Sequence, residues 1–162
     1  MNILIVYDTV FGNTGKIAQA MGDALKSKSF VRVIPVADFT PIQLAETDLL
    51  ILGSPTRGFR ATPALMELIS AIPLEAIKGK KVAVFDTRIV LKDIKNGIFR
   101  FIVKTGGFAT KKMAAALKAK EAVQIVEPEG FFVGGEQENT VLNEGELDRA
   151  AKWAEQLLPL IQ

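Results

Sequence analysis

Apolar positions follow two rhythms along the chain, and the alternation between them predicts the elements. Short runs read as strands: Ile3-Leu4-Ile5-Val6-Tyr7, Val31-Arg32-Val33-Ile34-Pro35-Val36, Leu49-Leu50-Ile51-Leu52-Gly53 and Val82-Ala83-Val84-Phe85. The third is apolar enough to lie in the middle of a parallel sheet, buried on both faces. A fifth strand is drawn from Val123 to Val126 and Phe131 to Val133. Between the runs, apolar residues return at helical spacing: Ile17, Met21, Ala24 and Leu25, then Leu65, Leu68, Ile69 and Ile72, then an alanine- and lysine-rich stretch near Ala109 to Lys120. A last helix keeps Leu147, Ala150, Ala151, Ala154, Leu157 and Leu158 on one side, with Asn143 and Glu146 spaced as a capping box before it. Thr40-Pro41 and Thr62-Pro63 each place proline just inside a helical start. Strand and helix alternating five times predict an α/β fold, a doubly wound parallel sheet with right-handed crossovers and helices on both faces. One domain spanning 1–162 is expected, with residues 134 to 142 as a simple surface loop.

Composition narrows the chemistry. With 49% hydrophobic residues the chain can bury a continuous core, and no run approaches the roughly 18 apolar residues that span a bilayer. The N-terminus enters a strand directly, without a basic region or cleavage site, so a soluble cytoplasmic protein is expected. There is no cysteine and no histidine. Thiol redox chemistry, disulfides and the usual metal ligands and proton shuttle are therefore excluded, no metal site is expected, and any redox chemistry must be carried by a cofactor. Twenty basic and 18 acidic residues leave a balance of +2, which compels no nucleic-acid partner.

The most informative segment is the turn Thr9-Val10-Phe11-Gly12-Asn13-Thr14, set between the first strand and the first helix. Backbone N–H groups at a helix start lack intrahelical partners, and the helix dipole adds positive charge, so such a turn can hold a phosphate without lysine. Thr9 and Thr14 add hydroxyl donors, and Gly12 lets the backbone close around the anion. The bland alternative is an ordinary strand-turn-helix join with threonine as a cap. Ile5, Tyr7, Thr9, Gly12, Thr14 and Ala18 fall at the spacing of the flavodoxin signature, and the chain resembles that family over nearly its whole length. The resemblance implies a five-stranded sheet in the order 2-1-3-4-5, for which flavodoxin is the standard example, with flavin mononucleotide (FMN) at the switch point between the first and third strands. It also implies that the turn grips the FMN phosphate. Val10 and Phe11 stand where many flavodoxins have hydroxyl residues, which leaves more of the grip to the backbone.

By the same resemblance two further loops flank the flavin ring. The first is Gly53 to Arg60, with Pro55, Thr56, Arg57, Gly58 and Phe59 as contacts; a carbonyl near Gly58 would accept a bond from reduced flavin, and glycine permits the peptide to flip. Arg57 stands where several flavodoxins stack a tryptophan, and a guanidinium can stack on a ring and stabilise negative charge there. Alternatively Arg57 and Arg60 are solvated charges and Phe59 caps the core. The second follows the fourth strand as Phe85-Asp86-Thr87-Arg88-Ile89, without the family's usual glycines and tyrosine. Asp86, Thr87 and Arg88 are its expected flavin contacts. Arg88 either faces the charge of reduced flavin and raises its potential, or forms a salt bridge with Asp86 or Asp93. The stretch from Arg88 to Gly107 is longer than in short flavodoxins and contains Gly97-Ile98-Phe99-Arg100-Phe101-Ile102-Val103-Lys104. It reads as a lid using Phe99 or Phe101, a docking surface, or a helical turn packed on the sheet.

The leading functional reading is an FMN-binding electron carrier, with no catalytic residue evident and a redox partner that the sequence does not identify. The alternatives are a flavin-free binding module of the same fold and an FMN-dependent reductase of quinones or other small acceptors. A phosphorylatable receiver is set aside, because Asp8 stands alone after the first strand and Gly53-Ser54 occupies the acceptor region.

Overall fold

The computed structural model describes residues 1–90, 94–135 and 139–161, with the side chains of residues 99, 102 and 103 outside the description. β1 (Asn2–Tyr7) lies inside a sheet, next to its edge strand, paired in parallel with β2 (Phe30–Pro35) on one side and β3 (Leu49–Pro55) on the other. β4 (Lys81–Ile89) extends the sheet beyond β3, so the expected order 2-1-3-4 is observed. Beyond β4 the fifth strand is broken in two. Val123 and Gln124, as β5, pair with Lys81 and Val82, whereas β6 (Glu129–Gly134) pairs with Phe85 to Ile89. β7 (Val141–Leu142) then returns antiparallel to β6, matching Gly134 with Val141 and Val133 with Leu142. The segment 134–142, expected to be a simple loop, is thus partly a hairpin; residues 136–138 within it lie outside the description.

Alternation of side chains across the strands builds two cores. Leu4, Val6, Leu50, Leu52, Val82 and Val84 face α2 (Pro63–Ala71) and α5 (Ala109–Ala119), while α3 (Leu74–Ile77) adds Ile77 to that layer. On the opposite face Ile3, Ile5, Leu49, Ile51, Ala83 and Phe85 meet α1 (Asn13–Leu25) and α6 (Glu146–Ile161). Phe85, Phe131 and Trp153 pack edge-to-face there, with centroids 5.9 to 6.5 Å apart. The Thr40-Pro41 signal opens a short 3-10 turn, Pro41–Leu44, rather than a full helix. α4 (Gly97–Gly106) occupies the apolar insertion.

The expected capping box of the last helix is not formed. Glu146 is the first residue of α6, too early for its side chain to reach back as a box requires, and it is drawn instead into a half-buried ion cluster. Its carboxylate accepts from the Phe132 amide at 2.7 Å and from Arg149, whose guanidinium also reaches Glu129 and the Gly130 carbonyl. α6 is thereby tied to β6 through side chains rather than capped locally.

Candidate functional site

The C-terminal ends of β1, β3 and β4 open onto a cavity of about 350 Å³. Its walls are the turn after β1, the segment after β3 and the end of β4, the three places where the sequence puts the site. At the first wall, Gly12 takes a left-handed φ of 84° that a residue with a β-carbon adopts only with strain, and α1 starts from it. The first intrahelical bond runs from Lys16 N–H to the Gly12 carbonyl at 3.1 Å, so the amides of Asn13, Thr14 and Gly15 precede it without helical partners. No acidic residue occupies the first turn of α1 to compete for an anion.

The hydroxyls around this helix start differ in their engagement. Thr9 Oγ1 is buried with no hydrogen-bond partner among the described residues. An orphaned buried donor normally costs stability, and this one lines the cavity. Thr14 Oγ1 lies 2.9 Å from Thr87 Oγ1, and either can donate. Asn13 is engaged elsewhere. Its side-chain amide donates to the carbonyl and hydroxyl of Thr140, at 2.8 and 3.1 Å, fastening the β6–β7 hairpin to the turn.

The second wall is a tight hairpin. Arg57 and Arg60 exchange both backbone bonds, at 2.9 and 3.0 Å, and Gly58 and Phe59 between them have φ of 51° and 67°. Two successive left-handed residues make a primed turn, in which Gly58 is at ease and Phe59 is strained. Phe59 lines the cavity and lies against Gly106, where a β-carbon would come within 3.0 Å of its ring. The Arg57 guanidinium lies over the Phe11 ring, 5.4 Å from its centroid, bridging two walls of the cavity.

The third wall corrects the expectation of a loop after Phe85. Because β6 pairs with Phe85 to Ile89, the segment Asp86-Thr87-Arg88 is strand, and its side chains alternate across the sheet. Thr87 points to Thr14, while Asp86 and Arg88 share the face of α5. Arg88 forks onto Asp86, with Nε to Oδ1 at 2.5 Å and Nη2 to Oδ2 at 2.9 Å, and donates to Thr110 Oγ1 at 3.1 Å. Its guanidinium lies 3.8 Å from the Phe108 ring centroid. Asp86 has 0% exposure and also accepts from Thr56 Oγ1 and the Thr110 amide, both at 3.1 Å. Burial pushes its carboxyl above the ordinary carboxylate value, and the hydrogen bonds and charge of Arg88, with the Thr110 amide and Thr56 hydroxyl, pull it back. Thr56 Oγ1 accepts from the Ala109 amide at 2.8 Å, so Thr56 and Asp86 together satisfy the start of α5.

Twelve of the residues expected to contact a cofactor line the cavity: Thr9, Val10, Phe11, Asn13, Thr14, Pro55, Thr56, Arg57, Gly58, Phe59, Thr87 and Arg88. Gly12 and Asp86 do not line it. The glycine shapes the turn, and the aspartate is spent on Arg88 and the start of α5. The salt bridge considered for Arg88 forms with Asp86; Asp93 lies outside the described residues. Sequence reasoning missed Ile89, Ile94, Phe108, Val133 and Thr140, which complete the walls. Of the two lid candidates, Phe99 lies outside the described side chains and Phe101 points to solvent at 66% exposure, not into the cavity.

Among the described residues no cluster of His, Cys, Asp or Glu could hold a metal, and no helix is long and apolar enough to cross a membrane. The residues present fit FMN: a hydroxyl orphaned among the described residues and amides without helical partners at one end, and a largely apolar slot at the other. A flavodoxin-domain family model matches residues 4–127. No curated protein sequence matches the chain. Solved structures of similar fold include a flavodoxin from the domain Archaea, at 18% identity and TM-score 0.75 over 99% of both chains. Flavodoxin 2 from Bacillus cereus is similar at 22% identity and TM-score 0.71, covering 98% of this chain and 99% of that one. Rubredoxin oxygen:oxidoreductase from Desulfovibrio gigas contains a similar unit, at 16% identity and TM-score 0.72, over 99% of this chain and 36% of that one. At these identities the structural likenesses establish the fold, and the family model establishes membership. The chain belongs to the flavodoxin-domain family of flavin-binding electron-transfer proteins.

Proposed function

We propose that the protein is an FMN-dependent electron carrier. The observation that carries this reading is the start of α1, where the left-handed Gly12 leaves three amides without helical partners, and Thr9, with its hydroxyl orphaned among the described residues, lines the cavity beside Asn13 and Thr14. A phosphate monoester supplies the acceptors that these donors lack. Thr14 and Thr87 share one hydrogen bond at 2.9 Å and both line the cavity, so one hydroxyl of the pair keeps a proton to offer a ligand there. Bound FMN would supply the electron chemistry, since no side chain here is redox-active. The chain's own part is to bind, orient and bias the ring: Pro55 to Phe59 on one side, Thr87 to Ile89 on the other, with Arg57 as the cation that no described carboxylate neutralises.

Fluorescence titration with FMN and with riboflavin tests the reading, because the two ligands differ only in the phosphate. Tight FMN binding with riboflavin at least tenfold weaker is expected, one charge-assisted hydrogen bond being worth about that factor. Thr9→Val weakens FMN by roughly tenfold and leaves riboflavin unchanged. Equal affinity for the two ligands, or none for either, would overturn it.

A further inference from the structure

Residues 94–120 contain seven Lys and Arg and no Asp or Glu, so against a whole-chain balance of +2 the remainder carries −5. This concentration of charge coincides with an apolar surface. Every described residue of α4 is exposed, with Ile98 at 75% and Phe101 at 66%. The helix is held from within: Asn96 Oδ1 accepts from the Ile98 amide at 3.0 Å, and Thr105 Oγ1 donates to the Phe101 carbonyl at 3.0 Å. Ten residues make a helix too short to be secure in water alone, and no other described element covers Ile98 or Phe101. Its C-terminal end meets the hairpin through Gly106 and Phe59, and Lys111 of α5 lies next to Gly107. Arg57, Arg60, Lys95, Arg100, Lys104, Lys111 and Lys112 are exposed around this region, and none forms an ion pair with a described carboxylate.

We propose that α4 docks on an anionic lipid surface, inserting Ile98 and Phe101 among the headgroups while Lys95, Arg100 and Lys104 contact lipid phosphates. Apolar side chains ringed by cations on an unseated helix are what an interfacial segment needs. The occupant's charge follows from complementarity, because a surface with seven cations and no described carboxylate paired to them favours an anion. A broad surface fits better than a groove-shaped partner, since the cations come from the hairpin, from α4 with its lead-in and from α5 instead of flanking one cleft. A nucleic acid would satisfy the charge but leave Ile98 without a role.

The test is flotation of the full chain with phosphatidylcholine vesicles, with and without about one third phosphatidylglycerol. Expected are partition into the anionic vesicles, weak partition into the neutral ones, and a steep fall with salt. Arg100→Gln with Lys104→Gln lowers partition by about twenty-five-fold, each cation removed counting for roughly fivefold. Ile98→Gln with Phe101→Gln lowers it at least tenfold. All four positions are exposed and lie outside the cavity, and circular dichroism, not flavin binding, serves as the folding control. Three results would overturn the proposal. One is the absence of partition into anionic vesicles. Another is loss in the charge variant alone, with equal retention on a DNA duplex, which marks a general polyanion surface. The third is vesicle-independent dimerisation abolished by Phe101→Gln, which marks a second copy as the occupant.

Discussion

Arg57 and Arg88 both line the cavity, but their charges act differently. Arg88 has a carboxylate 2.5 Å away on its own strand, whereas Arg57 faces an aromatic ring and solvent. A cation already paired in a buried site adds little net potential at a neighbouring group, so Arg57 should dominate the electrostatic bias on a bound flavin. Spectroelectrochemistry of the FMN-loaded protein should show a lower midpoint potential in Arg57→Gln and a smaller change in Arg88→Gln. Comparable shifts in both would show that Asp86 fails to screen its partner. Stability should report the reverse ranking. Removing one member of a buried pair leaves the other uncompensated, so Asp86→Ala should lose about 3–5 kcal/mol in urea unfolding. Arg57→Gln, at an exposed hairpin, should change stability by less than about 0.5 kcal/mol.

At the scale of elements, the junction of β3, β4 and α5 is fixed by Thr56, which donates to Asp86 and accepts from the Ala109 amide. Thr56→Val keeps the shape and deletes both bonds, and a loss of about 1–2 kcal/mol is expected, with hydrogen exchange rising first in the opening turn of α5. Gly53 makes a different demand: a β-carbon there would strike the Phe85 ring, so Gly53→Ala should cost at least about 2 kcal/mol or displace the aromatic cluster. These elements were largely legible beforehand because periodicity records which face is buried. Leu65, Leu68 and Ile69 of α2, and Leu157 of α6, lie in the core where their spacing placed them. What escaped was set by pairing across long sequence separations. The break between β5 and β6, the extension of β4 through Ile89 and the capture of Glu146 by the Phe132 amide depend on which residues meet in space. The Asp86–Arg88 salt bridge was one of the two readings the sequence offered for Arg88, since residues two apart on a strand share a face; Phe108 and Thr140 had no local signal.

For the whole molecule, the cavity sits where the direction of chain winding changes, between β1 and β3, so a ligand held there would bridge segments that are distant in sequence. The turn after β1, the hairpin and the end of β4 each belong to a different βα unit. FMN should therefore stabilise the fold as a unit, by about 4 kcal/mol at a thousandfold excess over Kd, equivalent to on the order of 10 °C in Tm. Scanning calorimetry with riboflavin in parallel checks it, and an equal rise with both ligands would count against the phosphate as the anchor.

The glycine at position 130 lies beneath the Arg88 guanidinium, where any β-carbon would collide with it. Alanine at 130 would have to push the guanidinium off Asp86 and Thr110, so Gly130→Ala should cost more alone than in an Arg88→Ala background. Positions 88 and 130 are therefore coupled across the sheet, a long cation on one strand being accommodated by the bare backbone of the other.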